Sequence, residues 1–240
     1  MSESSHYIDK IIKYGMSDPV YNIHENNIDL KANHIYLFGE ESYIHPEMEA
    51  TEPGVEFSMA NRFIKNLNIL MRVSDSPILI HMKTCGGDWA EGMAIYDAIR
   101  ACPNPITILN YTHARSMSSL IFLAANKRVM MPHSTYMFHE GTMGMSGTTK
   151  QYFTEAEELK KTNDAMMDIY AKTLKEQGKY KKWSEARIKK RIKELMDQKE
   201  EVYLDAAETT DWGFADEIFG QCGLYDWASL TKYTDTQLQR

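Results

Sequence analysis

Along this chain, short continuous apolar runs alternate with stretches in which apolar residues recur every three or four positions, a pattern that predicts strands and helices in turn. His34 to Gly39 reads as a strand ended by glycine, and Phe57 to Arg72 carries Phe57, Ala60, Phe63, Ile64, Leu67 and Met71 at helical spacing. Asp75-Ser76-Pro77 then leads into Ile78-Leu79-Ile80, continuously apolar like a strand covered on both faces. Asp88 with Glu91 three residues on has the form of a capping box, opening a helix whose buried stripe is Trp89, Met93, Tyr96 and Ile99. Pro105 to Leu109 is a second buried strand. It runs into a polar turn, Asn110 to Arg115, after which Ser116 opens a helix, Met117 to Ala125, that is apolar nearly all round and therefore internal.

Downstream, Met130-Met131-Pro132 breaks the chain and Tyr136 to His139 is a short apolar strand with an imidazole at its end. A long helix follows from Thr154 to Lys175, with Thr154 and Glu157 as its cap pair. The basic stretch Lys179 to Lys193 reads as a solvated helix face over a stripe of Ile188, Ile192 and Leu195. Asp205 and Glu208 cap a short helix stopped at Gly213. Two successive strand-turn-helix units bring their turns to one sheet edge, which is an α/β arrangement.

Those turns carry the candidate chemistry. Ser116 at a helix start sits beside unpaired backbone N–H groups and the positive end of the helix dipole, where a developing oxyanion would be stabilised; structural N-capping is the competing role for such a serine. Gly86-Gly87, at the strand-to-helix turn after Pro77 to His81, allow backbone N–H groups to approach a ligand. His139 is the candidate base.

Cys85-Gly86-Gly87, Gly92 to Asp97, Ala114 to Met117, Leu123 to Ala125 and Pro132 to His139, in this order and spacing, resemble the proteolytic subunit of the Clp protease, with more diffuse similarity from Ile35 to Ile218. The resemblance implies a Clp/crotonase-like spiral of repeated strand-helix units, a single domain over residues 34–220 with a protruding long helix. It implies Ser116 as nucleophile, His139 as general base, and Gly86, Gly87 and the Met117 N–H around the oxyanion and the substrate backbone. It further implies two stacked seven-membered rings interlocked by the long helix, unfolded polypeptides as substrates, and a ring-shaped AAA+ unfoldase that consumes ATP; the hydrolysis itself calls for no cofactor. Glu201 falls where the family usually has aspartate as the third member of the triad, with Glu200, Asp197 and Asp205 as nearby rivals. Cys85 stands in place of the usual proline, and Arg115 is bulky for its place before the nucleophile.

Composition narrows the class. The 240 residues, 43% hydrophobic and 25% charged, suit one globular domain, and a net charge of −7 argues against nucleic-acid binding. No apolar run approaches the roughly 20 residues needed to cross a bilayer. The first fifteen residues lack a secretory pattern, so a cytoplasmic location is expected. Three cysteines, Cys85, Cys102 and Cys222, favour free thiols. Met1 to Asn33 is expected as a mobile arm, Glu40 to Val55 as an acidic loop and residues 221–240 as a tail. No metal-binding spacing of histidines occurs. Two other readings stay open: a silent ring subunit, favoured by Glu201, Cys85 and Arg115, and an acyl-CoA hydratase or isomerase of the crotonase type, which the serine–histidine pair opposes.

Overall fold

The computed structural model describes residues 19–39, 54–142, 144–221 and 226–240. Residues 1–18 of the expected arm, residues 40–53 of the expected acidic loop, and Cys222 lie outside these. From Pro19 the chain forms α1 (Pro19–Asn26) and β1 (Ile28–Asp29), which pairs antiparallel with β2 (His34–Phe38). The parallel sheet continues through β3 (Ile78–Thr84), β4 (Ile106–Arg115) and β5 (Lys127–Met130) to the short β8 (Glu217–Ile218).

Parallel neighbours need crossovers, and helices supply them. α2 (Phe57–Val73) joins β2 to β3, α3 (Trp89–Ala101) joins β3 to β4, and α4 (Met117–Leu123) joins β4 to β5. Their apolar sides meet Ile35, Leu37, Ile80, Met82 and Ile108 in one core. On α3 the fully buried line is Gly92, Ile95 and Ile99, while Trp89, Met93 and Tyr96 flank it half-buried, so the expected stripe is rotated by one residue. Asp88 caps this helix by accepting the Glu91 N–H at 3.0 Å.

The expected turn from Asn110 to Arg115 is instead the second half of β4. Its first half, Thr107 to Asn110, pairs with β5; its second half, His113 to Arg115, pairs with β6 (Thr135–Phe138). Asn110 and Ala114 are fully buried, whereas Tyr111 and His113 point to the half-exposed side, so polar residues here mark a sheet face rather than a turn. β6 pairs antiparallel with β7 (Val202–Asp205).

The long helix, α5 (Thr149–Glu176), begins earlier than its periodicity predicts. Its cap is the reciprocal box of Thr148 and Gln151, not Thr154 and Glu157. Its buried anchors, Met166, Tyr170, Ala171 and Leu174, all lie in the second half, whereas residues 149–158 are exposed, Tyr152 and Phe153 among them. The basic stretch becomes helical only at α6 (Glu185–Lys199), capped by Ser184, with Ile188, Ile192, Leu195 and Met196 inside. Asp205 and Glu208 form the expected capping box of α7 (Ala206–Trp212), and Gly213 ends it at φ +104°.

The sheet's second face is covered by residues 226–240, which include α8 (Trp227–Leu230) and α9 (Asp235–Leu238). Leu230 packs on Leu79, Leu109 and Val129. Buried Thr107 donates through Oγ1 to the Leu230 carbonyl at 2.7 Å, and buried Lys127 reaches the Ser229 and Lys232 carbonyls. Asp216 joins this segment to the core by taking both the Arg128 and the Arg240 guanidinium. Farther along the same face His81 is buried, bonded to the Tyr111 hydroxyl at 2.9 Å and the His34 ring at 3.1 Å, with Tyr36 stacked on it. Cys85 and Cys102 are not joined in a disulfide.

Candidate active site

Ser116 occupies the one-residue junction between β4 and α4 at φ 52° and ψ −125°. A side chain in such a conformation costs on the order of 1–3 kcal/mol and persists only where its surroundings fix it. Here the Ser116 N–H donates to the Met137 carbonyl at 3.0 Å, and the Ser116 carbonyl accepts from the N–H and the hydroxyl of Ser119 at 3.0 and 2.6 Å. A capping serine would direct its hydroxyl to the helix N–H groups. Ser116 makes no such bond; its Oγ lies 2.7 Å from Nε2 of His139.

His139 reaches that point because it follows β6, whose register against β4 is fixed two residues earlier by the pairing of Arg115 with Met137. Burial holds its pKa below the ordinary imidazole value, only partly offset by the nearby charges of Glu201 and Glu200. The ring is therefore neutral near pH 7, the state in which Nε2 can accept a proton from serine.

Gly86 sits against this pair at φ +97°. A Cβ there would lie 2.6 Å from the Arg115 carbonyl oxygen and 2.7 Å from the Ser116 Cβ, so only glycine fits. Gly87 abuts Val55: the Val55 N–H donates to the Gly86 carbonyl at 2.6 Å, and the Asp88 N–H donates to the Val55 carbonyl at 2.9 Å. The N–H groups of Gly87 and Met117 are bonded to no other described residue. With Ser116 and His139 they border a cavity of about 270 Å3, walled by Trp89, Leu120, Leu159 and Met166 among others. A larger cavity, about 620 Å3, lies by Ile28, Leu30 and Val73 and holds none of these groups.

The structure thus brings Ser116, His139, Gly86, Gly87 and Met117 together. It does not bring a carboxylate into hydrogen bonding with His139 among the described residues. Glu201 accepts instead from the Tyr203 hydroxyl at 2.8 Å. Asp197 pairs with Lys193 and Asp205 caps α7, while Glu200 is exposed at φ 60°, ψ −59°. Arg115, on the same side, keeps its Nε buried without a partner among the described residues.

Two further residues, to which the sequence reading assigned no role, support the site. Gly92 lies inside α3, where glycine weakens a helix, because a Cβ would come 2.1 Å from the Met117 Cγ; it makes room for the residue after Ser116. Asn163 of α5 accepts the Gly141 N–H at 2.9 Å and so ties the chain after His139 to the long helix. The glycine inside an otherwise helical pattern was the visible signal for the first.

The sequence model of the Clp protease family matches residues 50–221. The chain belongs to the Clp protease family. It is 28% identical over 170 residues to the ATP-dependent Clp protease proteolytic subunit of Deinococcus radiodurans, covering 70% of this chain and 77% of that one. With the proteolytic subunit of Streptococcus pneumoniae it shares 30% identity over 175 residues, 71% of this chain and 83% of the relative. Among solved structures, a ClpP1 mutant from Listeria monocytogenes superposes with a TM-score of 0.61 at 19% identity, over 87% of this chain and 96% of the other. That likeness establishes the Clp/crotonase-like α/β fold for this member of the family. No helix among the described residues is long and apolar enough to cross a membrane, and they contain no metal-binding cluster.

Proposed function

We propose that this Clp family member is a serine endopeptidase that cleaves unfolded polypeptides by acyl transfer from Ser116. The observation that carries the reading is the 2.7 Å contact between the Ser116 Oγ and the His139 Nε2 at a cavity bordered by the Gly87 and Met117 N–H groups. The hydroxyl attacks the scissile carbonyl as His139 takes its proton, and the oxyanion is held by backbone N–H groups of the glycine turn and Met117. His139 then returns the proton to the leaving amine, and water releases the acyl group by the same path in reverse. Glu201 is the acid of this scheme, stabilising the His139 imidazolium as it forms. The apolar wall of Trp89, Leu120, Leu159 and Met166 favours an apolar side chain next to the scissile bond.

The working form is a closed ring assembly, with the projecting half of α5, which exposes Tyr152 and Phe153, as the contact between stacked rings, and an AAA+ unfoldase feeding it. Relatives named ATP-dependent Clp protease proteolytic subunits support this organisation. A fluorophosphonate probe tests the chemistry. It should label Ser116 and fail on Ser116→Ala; labelling that survives the substitution unchanged sinks the assignment. Light scattering at micromolar concentration tests the assembly, and a monomer with full peptidase activity would exclude it.

A further inference from the structure

Between Glu201 and His139 the antiparallel register leaves no residue to spare. Phe138 pairs with Val202 and Met137 with Tyr203, and the ladder ends there, so His139 and Glu201 are the residues that leave the last pair on the same side. Alternation puts Glu201 and Tyr203 on one face of β7, and the parallel partner of Met137 on its other side is Arg115. Arg115, Met137 and Tyr203 therefore form a row across three strands, with His139 and Glu201 as the row above it.

Three features fix the carboxylate within that frame. Glu200 is the centre of a strained γ-turn, closed by the Glu201 N–H donating to the Lys199 carbonyl at 2.7 Å, and this sets where the Glu201 side chain leaves the backbone. The Tyr203 hydroxyl donates to Glu201 Oε2 at 2.8 Å. The Tyr203 phenol is half-exposed, and its pKa is raised first by this bond, while Arg115 acts on it in the opposite sense. His139, for its part, makes its one hydrogen bond among the described residues to Ser116.

We infer that Tyr203 is a positioning residue that holds Glu201 one contact short of His139, so that the resting site is a Ser116–His139 dyad and the acid joins when Glu201 exchanges the phenol for the imidazole. This rests on the peptidase reading above. Glu201 already acts on His139 through space while its carboxylate is bonded to the Tyr203 phenol. A neutral imidazole offers the carboxylate little more than the phenol does, whereas the imidazolium formed during attack offers a charge-assisted bond. The exchange thus follows proton transfer instead of preceding it. The other charges around His139 leave the competition to Tyr203: Glu200 is exposed, Glu140 is taken by Lys193, and Arg115 reaches across the row to the Tyr203 phenol itself.

Tyr203→Phe tests this, because it removes the hydroxyl and keeps the ring on a half-exposed surface where folding tolerates it. With a short fluorogenic peptide, kcat should rise about threefold or more with KM unchanged, as expected when the competent arrangement gains population. The acidic limb of the kcat profile should move to higher pH, since Glu201 now stabilises the imidazolium, and the His139 ring pKa read by NMR should move with it. In a Glu201→Gln background the gain should vanish. A kcat that is unchanged or lower in Tyr203→Phe, or a gain that persists with Glu201→Gln, overturns the inference. Fluorophosphonate labelling of Ser116 in each variant separates the levels: labelling at an unchanged rate rejects the role of Tyr203 alone, and no labelling of Ser116 in any protein, wild type included, rejects the peptidase reading beneath it.

Discussion

Arg115 of β4 stands directly beside Met137 of β6 in a parallel ladder, and that one pairing sets the candidate site. One residue beyond Arg115 is Ser116, whose N–H donates to the Met137 carbonyl; two residues beyond Met137 is His139. A slip of one residue would send His139 to the opposite face of its strand, away from Ser116. Ser116 and His139 are 23 positions apart in the chain, and the register converts that separation into a 2.7 Å contact.

The pH dependence of peptide cleavage follows from the His139 environment. Burial lowers its pKa despite Glu201 and Glu200, so the base stays neutral and active below the pH at which an ordinary imidazole protonates. The acidic limb of kcat/KM should have its midpoint below about 6.5, the unperturbed imidazole value. A midpoint at or above that value would show that the carboxylates outweigh burial.

Gly86→Ala should abolish turnover while leaving binding of product peptides nearly intact. The added methyl has to occupy space 2.7 Å from the Ser116 Cβ at a backbone φ of +97°, so the turn shifts and the N–H groups beside it leave their line. Loss of one oxyanion donor alone costs about 10²–10³ in kcat, which is the least expected here. Retention of more than a tenth of wild-type kcat would exclude Gly86 from this role.

Arg240→Met should destabilise the fold by about 3 kcal/mol, the usual consequence of removing one partner from a buried ion pair. The Arg240 and Asp216 side chains are 8% and 5% exposed, and the Asp216 carboxyl, although burial pushes it up, is held down at about 2 by Arg128 and Arg240. Urea denaturation checks this. Peptidase activity measured well below the midpoint should be unaltered, because the pair sits at the C-terminal end of α5, bonded to Gln177, and neither residue lines the cavity beside Ser116 and His139.

His81 predicts an acid-sensitive stability separate from activity. Burial, with help from the His34 ring and against Asp29, takes its pKa down to about 4. A lowered histidine pKa stabilises the fold above the unfolded value near 6.5, and that contribution is lost as the pH falls from about 6.5 towards 4, because the unfolded chain binds the proton first. Between pH 7 and pH 5 the wild type should therefore lose about 2 kcal/mol more than His81→Phe. Equal losses in the two proteins would show that His81 is protonated in the folded state.

Much of the frame was legible in the sequence, because the strands from Ile78 and Pro105 are continuously apolar and the helices after them are periodic. Ser116, His139 and the glycine pair stood at predicted element ends, and the structure puts them in one place. The second half of β4 was not legible. Tyr111, His113 and Arg115 are polar because they line a half-exposed sheet face, and local composition cannot distinguish that from a turn. The start of α5 was missed because its first turns bury nothing and so carry no apolar period. Residues 226–240 lack a strong pattern because they attach through backbone carbonyls, to Thr107 and Lys127, and through Arg240. Which carboxylate His139 would meet depends on side-chain contacts that a one-dimensional pattern does not contain, and the Tyr203–Glu201 bond is such a contact.

The divided pairing of β4 also sets an order in time. Its first half can find β3 and β5 within a short span of chain, but its second half is completed by β6, and β6 is flanked in turn by β7, which starts at Val202. Pairings between segments far apart in sequence form late, after the closure of long loops. During synthesis Ser116 is thus made well before the strand that braces its histidine has left the ribosome. A nascent chain carries the nucleophile without the geometry that would arm it, and proteolytic competence arrives only once the C-terminal third has been made and docked.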